Sequence, residues 1–186
     1  MGVPELVRGS GAVAVLAALA GLVGAIAMVG FVRADGLASR TIATTTSVVQ
    51  SGTGDYAAVA MRVVDRNGAE KKSCALLADT DEKRARGMMG RQDLGGYDAL
   101  IFSFPEDVNV QFYMLNVPVA LSIAWFNSAG QVVSLADMEP CTVEAAQCQR
   151  FSAGVPFRGA VEVLKGGLSA TGIGEGSTIV FGGPCG

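Results

Sequence analysis

The chain has 186 residues, half of them apolar, and carries a net charge of −3 from 14 basic and 17 acidic side chains, enough for one domain with an appendage. Its charges are interspersed, which excludes the clustered basic face of a nucleic-acid binder. Histidine is absent, which excludes Ser-His-Asp and Cys-His catalysis and removes the commonest metal ligand, so no metal or cofactor is expected.

Taken in chain order, the first predicted element is a helix. No charged residue occurs from Gly9 to Val32. A helix over 11–32 would be roughly 33 Å long, matching a hydrocarbon core of ~30 Å. Its ten Leu, Ile, Val and Phe residues, at roughly −0.3 to −0.6 kcal/mol each, favour insertion into the bilayer. A cleaved leader ending at Val32-Arg33-Ala34 is the competing reading, but a leader core runs only ~7–15 residues. Ala14, Ala17, Ala18, Gly21, Gly24 and Ala25 recur at spacings of three and four. They form a flat ridge on which another membrane helix can pack closely. Basic residues on either side of the helix leave its orientation undecided, so the cysteines must settle it.

Residues 33–57, rich in Ser, Thr, Gly and Ala, read as a polar tether with at most one short strand. Residues 58–186 then form one domain. It opens on a hairpin, Val59–Val64 and Ser73–Ala78, around the turn Asp65-Arg66-Asn67-Gly68. A short helix follows, capped by Asp79 or Thr80, with Asp81 and Glu82 at its positive end and Gly87 or Gly90 stopping it. Strands are expected at Ala99–Phe104, Phe112–Leu115 and Leu121–Phe126. A second turn at Asn127-Ser128-Ala129-Gly130 leads to Gln131–Leu135, and Ala160–Leu164 and Thr178–Phe181 close the set. Seven or eight short strands with one brief helix predict a mainly β (α+β) domain, of barrel or sandwich form. Met88, Met89 and Met114 read as core fillers rather than copper ligands. The glycines at 166, 167, 172, 174 and 176 read as turns, because the Lys-Ser/Thr of a phosphate loop is missing.

Cys74, Cys141, Cys148 and Cys185 lack the close pairs of a zinc site and read as disulfides. Pairing Cys141 with Cys148 closes an eight-residue loop, worth roughly 2.5 kcal/mol on the chain-entropy model. Cys74 with Cys185 is then the second pair, although four cysteines allow three connectivities. Disulfides place the domain in an oxidising compartment, with residues 1–10 on the cytoplasmic side.

From Arg86-Gly87-Met88-Met89-Gly90-Arg91 onward the chain resembles the uncharacterised bacterial and archaeal family numbered 192 among domains of unknown function. That family shows R-G-L-M-x-R after a short helix, then F-W-M-K-N-T-x-I-P-L-D-I, a P-C…C loop, an L-E strand and a closing G-I-x-x-G-D. On the pattern the chain keeps Arg86, Gly87, Met89, Arg91, Phe112, Met114, Asn116, Leu121, Ile123, Pro140, Cys141, Cys148, Glu162, Gly172, Ile173 and Gly176. It departs at Tyr113, Leu115, Val117, Ala120, Ser122 and Ser177, where the family has Trp, Lys, Thr, Pro, Asp and Asp.

With the family's Lys and Asp replaced, Arg86, Arg91, Asn116 and Glu162 are the polar candidates for a ligand site, Arg91 and Glu162 as an ion pair. The expected role is that of a membrane-anchored, non-catalytic accessory subunit or binding module. Its partners would be the bilayer and another membrane protein, in a respiratory or transport complex. The alternative is an envelope enzyme or small-ligand binder in which those four residues converge on a cleft.

Overall fold

The structure, a computed structural model, describes residues 56–185. The helix expected over 11–32, its ridge of small residues and the tether up to residue 55 lie outside them. Among the described residues no helix is long and apolar enough to cross a membrane. Tyr56 is buried, and Ala57 opens the first strand, so the last two residues assigned to the tether belong to the fold.

Seven strands form one sheet: β1 (Ala57–Val64), β2 (Glu70–Ala78), β3 (Ala99–Val108), β4 (Leu121–Phe126), β5 (Val132–Met138), β6 (Phe157–Leu164) and β7 (Thr178–Phe181). Their order is β5-β4-β6-β3-β2-β1-β7. The only helix longer than a single 3-10 turn among the described residues is α1 (Asp81–Arg86).

The β1–β2 turn forms because the Asp65 side chain accepts the amides of Asn67 and Ala69 at 2.8 and 2.9 Å, while Gly68 supplies a φ of 82°. In the β4–β5 turn the Asn127 side chain accepts the amides of Ala129 and Gln131, both at 3.0 Å. Gly130 is obligatory there. Its φ is 77°, and a Cβ would sit 2.3 Å from the Ile179 carbonyl oxygen.

All strand pairs are antiparallel except β2 and β3, which run parallel. A parallel neighbour cannot be reached by a tight turn and needs a crossover. That crossover is the segment containing α1, which is thereby laid beside the sheet. The Thr80 hydroxyl accepts the Lys83 amide at 3.3 Å and caps the helix, and Gly87, at φ 46°, ends it. The Tyr56 hydroxyl donates to the Gly87 carbonyl at 2.9 Å, with the Lys83 carbonyl at 3.2 Å. The first described residue thus holds the helix's last carbonyls.

Both faces of the sheet are covered, which is why all six residues of β4 are buried. One cluster joins Leu76, Leu100, Phe102, Leu121, Ile123, Trp125 and Phe157 with Met88, Leu94 and Met114 from the loops. The other joins Val59, Met61 and Val63 of β1 to Ala124 and Phe126 of β4 and to Val161 and Val163 of β6. Phe126 and Phe181, on strands near opposite ends of the order, stand 6.0 Å apart between ring centres. The sheet therefore curls around this second cluster.

The expected barrel or sandwich is corrected to a single curled sheet, not closed into a barrel. The end strands β5 and β7 meet at one isolated bridge, Gln131 with Thr178. The strand expected at Phe112–Leu115 is also corrected. Phe112 bridges Phe151 and Leu115 bridges Cys141, each singly, because the chain turns at once through Asn116, at φ 57°. The cysteines pair as 74 with 185 and 141 with 148, with Cα separations of 5.6 and 5.5 Å. Met88 and Met114 are core residues, and Met89 packs against them.

Candidate functional site

A pocket of about 190 Å³ opens between α1 and the covered face of the sheet. Strand alternation builds its floor. On β6, Ala160 and Glu162 point to the face covered by α1, whereas Val161 and Val163 point into the curl. Glu162 lies opposite Leu100 of β3 and Ile123 of β4, in the middle of the sheet. Its aromatic wall is Phe102, Phe104, Phe112 and Tyr113. Met88, Met89, Val110 and Val117 complete the apolar lining, and Arg84 and Arg86 stand on the helical side.

Glu162 is only 5% exposed, and among the described residues its carboxyl has no hydrogen-bond or ionic partner. Burial pushes it from the ordinary 4.5 up to about 8. The physical cause is desolvation, which penalises the carboxylate and not the acid. At neutral pH the pocket therefore presents a protonated carboxyl, one O–H donor together with acceptor capacity. One rung along the same face, Trp125 has a buried indole nitrogen that also lacks a partner.

Arg84 is held firmly. It donates to Asp81 and to the Ser103 carbonyl, each at 2.6 Å, with its guanidinium 5.0 Å over the Phe104 ring. At the other side Arg150 lies 4.4 Å over the Tyr113 ring.

Of the four residues singled out by sequence, the structure brings together Arg86 and Glu162 in this pocket and leaves Arg91 and Asn116 outside its lining. The Arg91–Glu162 ion pair does not form. Arg91 instead lies 5.7 Å over the Tyr56 ring. Asn116 takes the left-handed conformation that Asn tolerates better than most residues, and its carbonyl accepts the Gly90 amide at 2.8 Å. It joins two loops and is not a pocket group.

The pocket members that sequence reasoning missed are Arg84, Phe102, Phe104 and the segment from Val110 to Tyr113. A signal was present. The stretches Arg86–Met89 and Phe112–Tyr113 and the residue Glu162 belong to segments that carry the family resemblance, and they meet here. Two positions of departure, Leu115 and Ser122, do not line the pocket. Ser122 points to the opposite face, where it donates to Asp137 at 2.5 Å and accepts the Gly166 amide at 2.9 Å. No group of three or more Cys, Asp or Glu residues placed to hold a metal occurs among the described residues.

A family model described as DUF192, an uncharacterized ACR, matches residues 62–181. Among solved structures, the chain is similar to a proposed transcription regulator from Sinorhizobium meliloti, with 19% identity and a TM-score of 0.60. That match covers 70% of this chain and 98% of the other. It is also similar to a protein of unknown function from Novosphingobium aromaticivorans, with 22% identity, a TM-score of 0.54 and coverage of 65% and 83%. At such identities these likenesses show the fold alone. No match is found among curated proteins.

Proposed function

The chain belongs to the uncharacterized DUF192 family, and from that premise we propose that it is a membrane-anchored, non-catalytic binding module. The pocket beneath α1 takes a small, largely apolar ligand on the outer side of the membrane. One observation carries this reading: Glu162, a carboxyl 5% exposed and without a partner, lines an apolar pocket in the middle of the sheet. A polar group that a ligand covers without pairing costs roughly 1–3 kcal/mol, so a ligand with a group that pairs with Glu162 is favoured over one without it. A non-catalytic role is supported by the lining, which includes no Ser, Thr, Cys or Lys nucleophile beside Glu162.

Anchoring rests on the uncharged stretch 11–32, whose length fits a bilayer core. The outer location rests on the two disulfides, which persist in oxidising compartments. The small-residue ridge gives the anchor a surface for a second membrane helix, and hence for a larger complex.

The test uses the full chain in lipid nanodiscs with labelled methionine methyl groups and a set of small apolar and aromatic compounds. The expected result is ligand-dependent shifts of Met88 and Met89, with Met138, buried away from the pocket, unmoved. Val110→Trp, at the partly exposed rim, abolishes the shifts, and the compounds are recovered unchanged. Absence of any shift at Met88 and Met89 overturns the binding reading. Chemical turnover overturns the non-catalytic one, and failure to enter nanodiscs overturns the anchor.

A further inference from the structure

We propose that the pocket selects its ligand by an acceptor oxygen, the carbonyl or carboxylate of a small apolar compound, which the Glu162 carboxyl meets as hydrogen-bond donor. This rests on the binding-module reading and narrows it to a ligand class.

The argument starts from the charges around Glu162. From α1, Arg84 and Arg86 line the pocket, and from the 109–117 loop comes Tyr113; β3 and β4 place only Leu100 and Ile123 opposite Glu162. Arg84 is already hydrogen-bonded to Asp81 and the Ser103 carbonyl, and Tyr113 lies under Arg150. Glu162 is thus the sole acid of the lining, with two guanidinium groups at the helical side.

An ammonium ligand would enter beside two guanidinium groups, one of them already paired with Asp81. It would also have to draw a proton from a carboxyl that burial keeps protonated near neutrality. A purely apolar ligand would seal the carboxyl in, still unpaired. A ligand with an acceptor oxygen avoids both penalties. Its oxygen accepts the Glu162 O–H, and its body packs on Phe102, Phe112 and Met88.

Four matched probes separate the outcomes, with the full chain in nanodiscs and the Met88 and Met89 methyl signals as readout. They are acetophenone (neutral acceptor), benzoate (anionic acceptor), ethylbenzene (no acceptor) and 1-phenylethylamine (cation). Acetophenone, benzoate or both are expected to bind at least about tenfold tighter than ethylbenzene, the magnitude of one well-made hydrogen bond to a buried group. Which of the two leads identifies the oxygen as neutral or anionic. The amine gains nothing over ethylbenzene.

As pH rises through about 8 the donor is lost, so the acceptor advantage falls about fivefold between pH 8 and pH 9. Glu162→Gln, which keeps an N–H donor, retains the preference without the pH dependence, and Glu162→Leu removes the preference. The inference is overturned if the amine binds tightest, if acetophenone, benzoate and ethylbenzene bind alike, or if the preference survives in Glu162→Leu. Binding without preference sinks this inference alone, whereas no binding by any probe sinks the binding-module reading with it.

Discussion

Among the described residues the largest response to pH belongs to one side chain, Glu162. Its carboxyl titrates near the ordinary 4.5 in the unfolded chain and near 8 in the folded one. Between those values the folded state binds the extra proton, so stability falls as pH rises. The contribution is complete below about pH 4.5 and gone above about pH 8, a change on the order of 5 kcal/mol. Urea unfolding at pH 5 and pH 8 should show the wild-type midpoint falling, and Glu162→Gln should hold nearly constant and exceed wild type at pH 8. A wild-type midpoint that does not fall would contradict the burial argument. The family pattern marked Glu162 and Arg86 among four polar candidates, but residue type could not say which of the four share a space. Its polarity marks Asn116 in the sequence, whereas the structure uses its tolerance of a positive φ. Arg91 stands out in the sequence as a charge, whereas in the fold it lies over the Tyr56 ring.

At the scale of elements, local chemistry was readable where it is self-contained. Both turns, the helix cap and the strands Leu121–Phe126 and Thr178–Phe181 follow from side chains that act within a few residues of themselves. The cap can be tested on its own terms. Thr80→Ala removes the acceptor of the Lys83 amide and should cost about 1 kcal/mol in urea unfolding, with Thr80→Ser within a few tenths of wild type. Since α1 is six residues long, it has little stability of its own, and the loss should also broaden the Met88 and Met89 signals at the pocket wall. The segment Phe112–Leu115 shows where local reading stops. Its apolar run has strand character, yet its partners are isolated residues of the 139–151 loop and not a ladder. It serves as pocket wall and core filler, with Phe112 edge-on to Phe102 at 5.1 Å and to Trp125 at 5.9 Å.

Across the whole molecule, the two disulfides have unequal reach. Cys74–Cys185 spans 111 residues and Cys141–Cys148 spans 7. On the chain-entropy model the long link should stabilise by about 4.8 kcal/mol and the short one by about 2.5 kcal/mol. Replacing Cys74 and Cys185 together by Ser should therefore lower the urea midpoint clearly more than replacing Cys141 and Cys148, and equal losses would refute the ranking. Sequence alone determined the β-rich class, the number of cysteines available for pairing, the absence of histidine chemistry and the family pattern, because composition and short-range periodicity carry these. It could not determine that the sheet curls without closing, that Arg86 and Glu162 share a pocket while Ser122 faces away, or that Glu162 stays protonated at neutral pH. Those depend on which strands become neighbours and on how far water is excluded between them, and contacts between β6, β3, β4 and the α1 crossover exist only once the chain has folded.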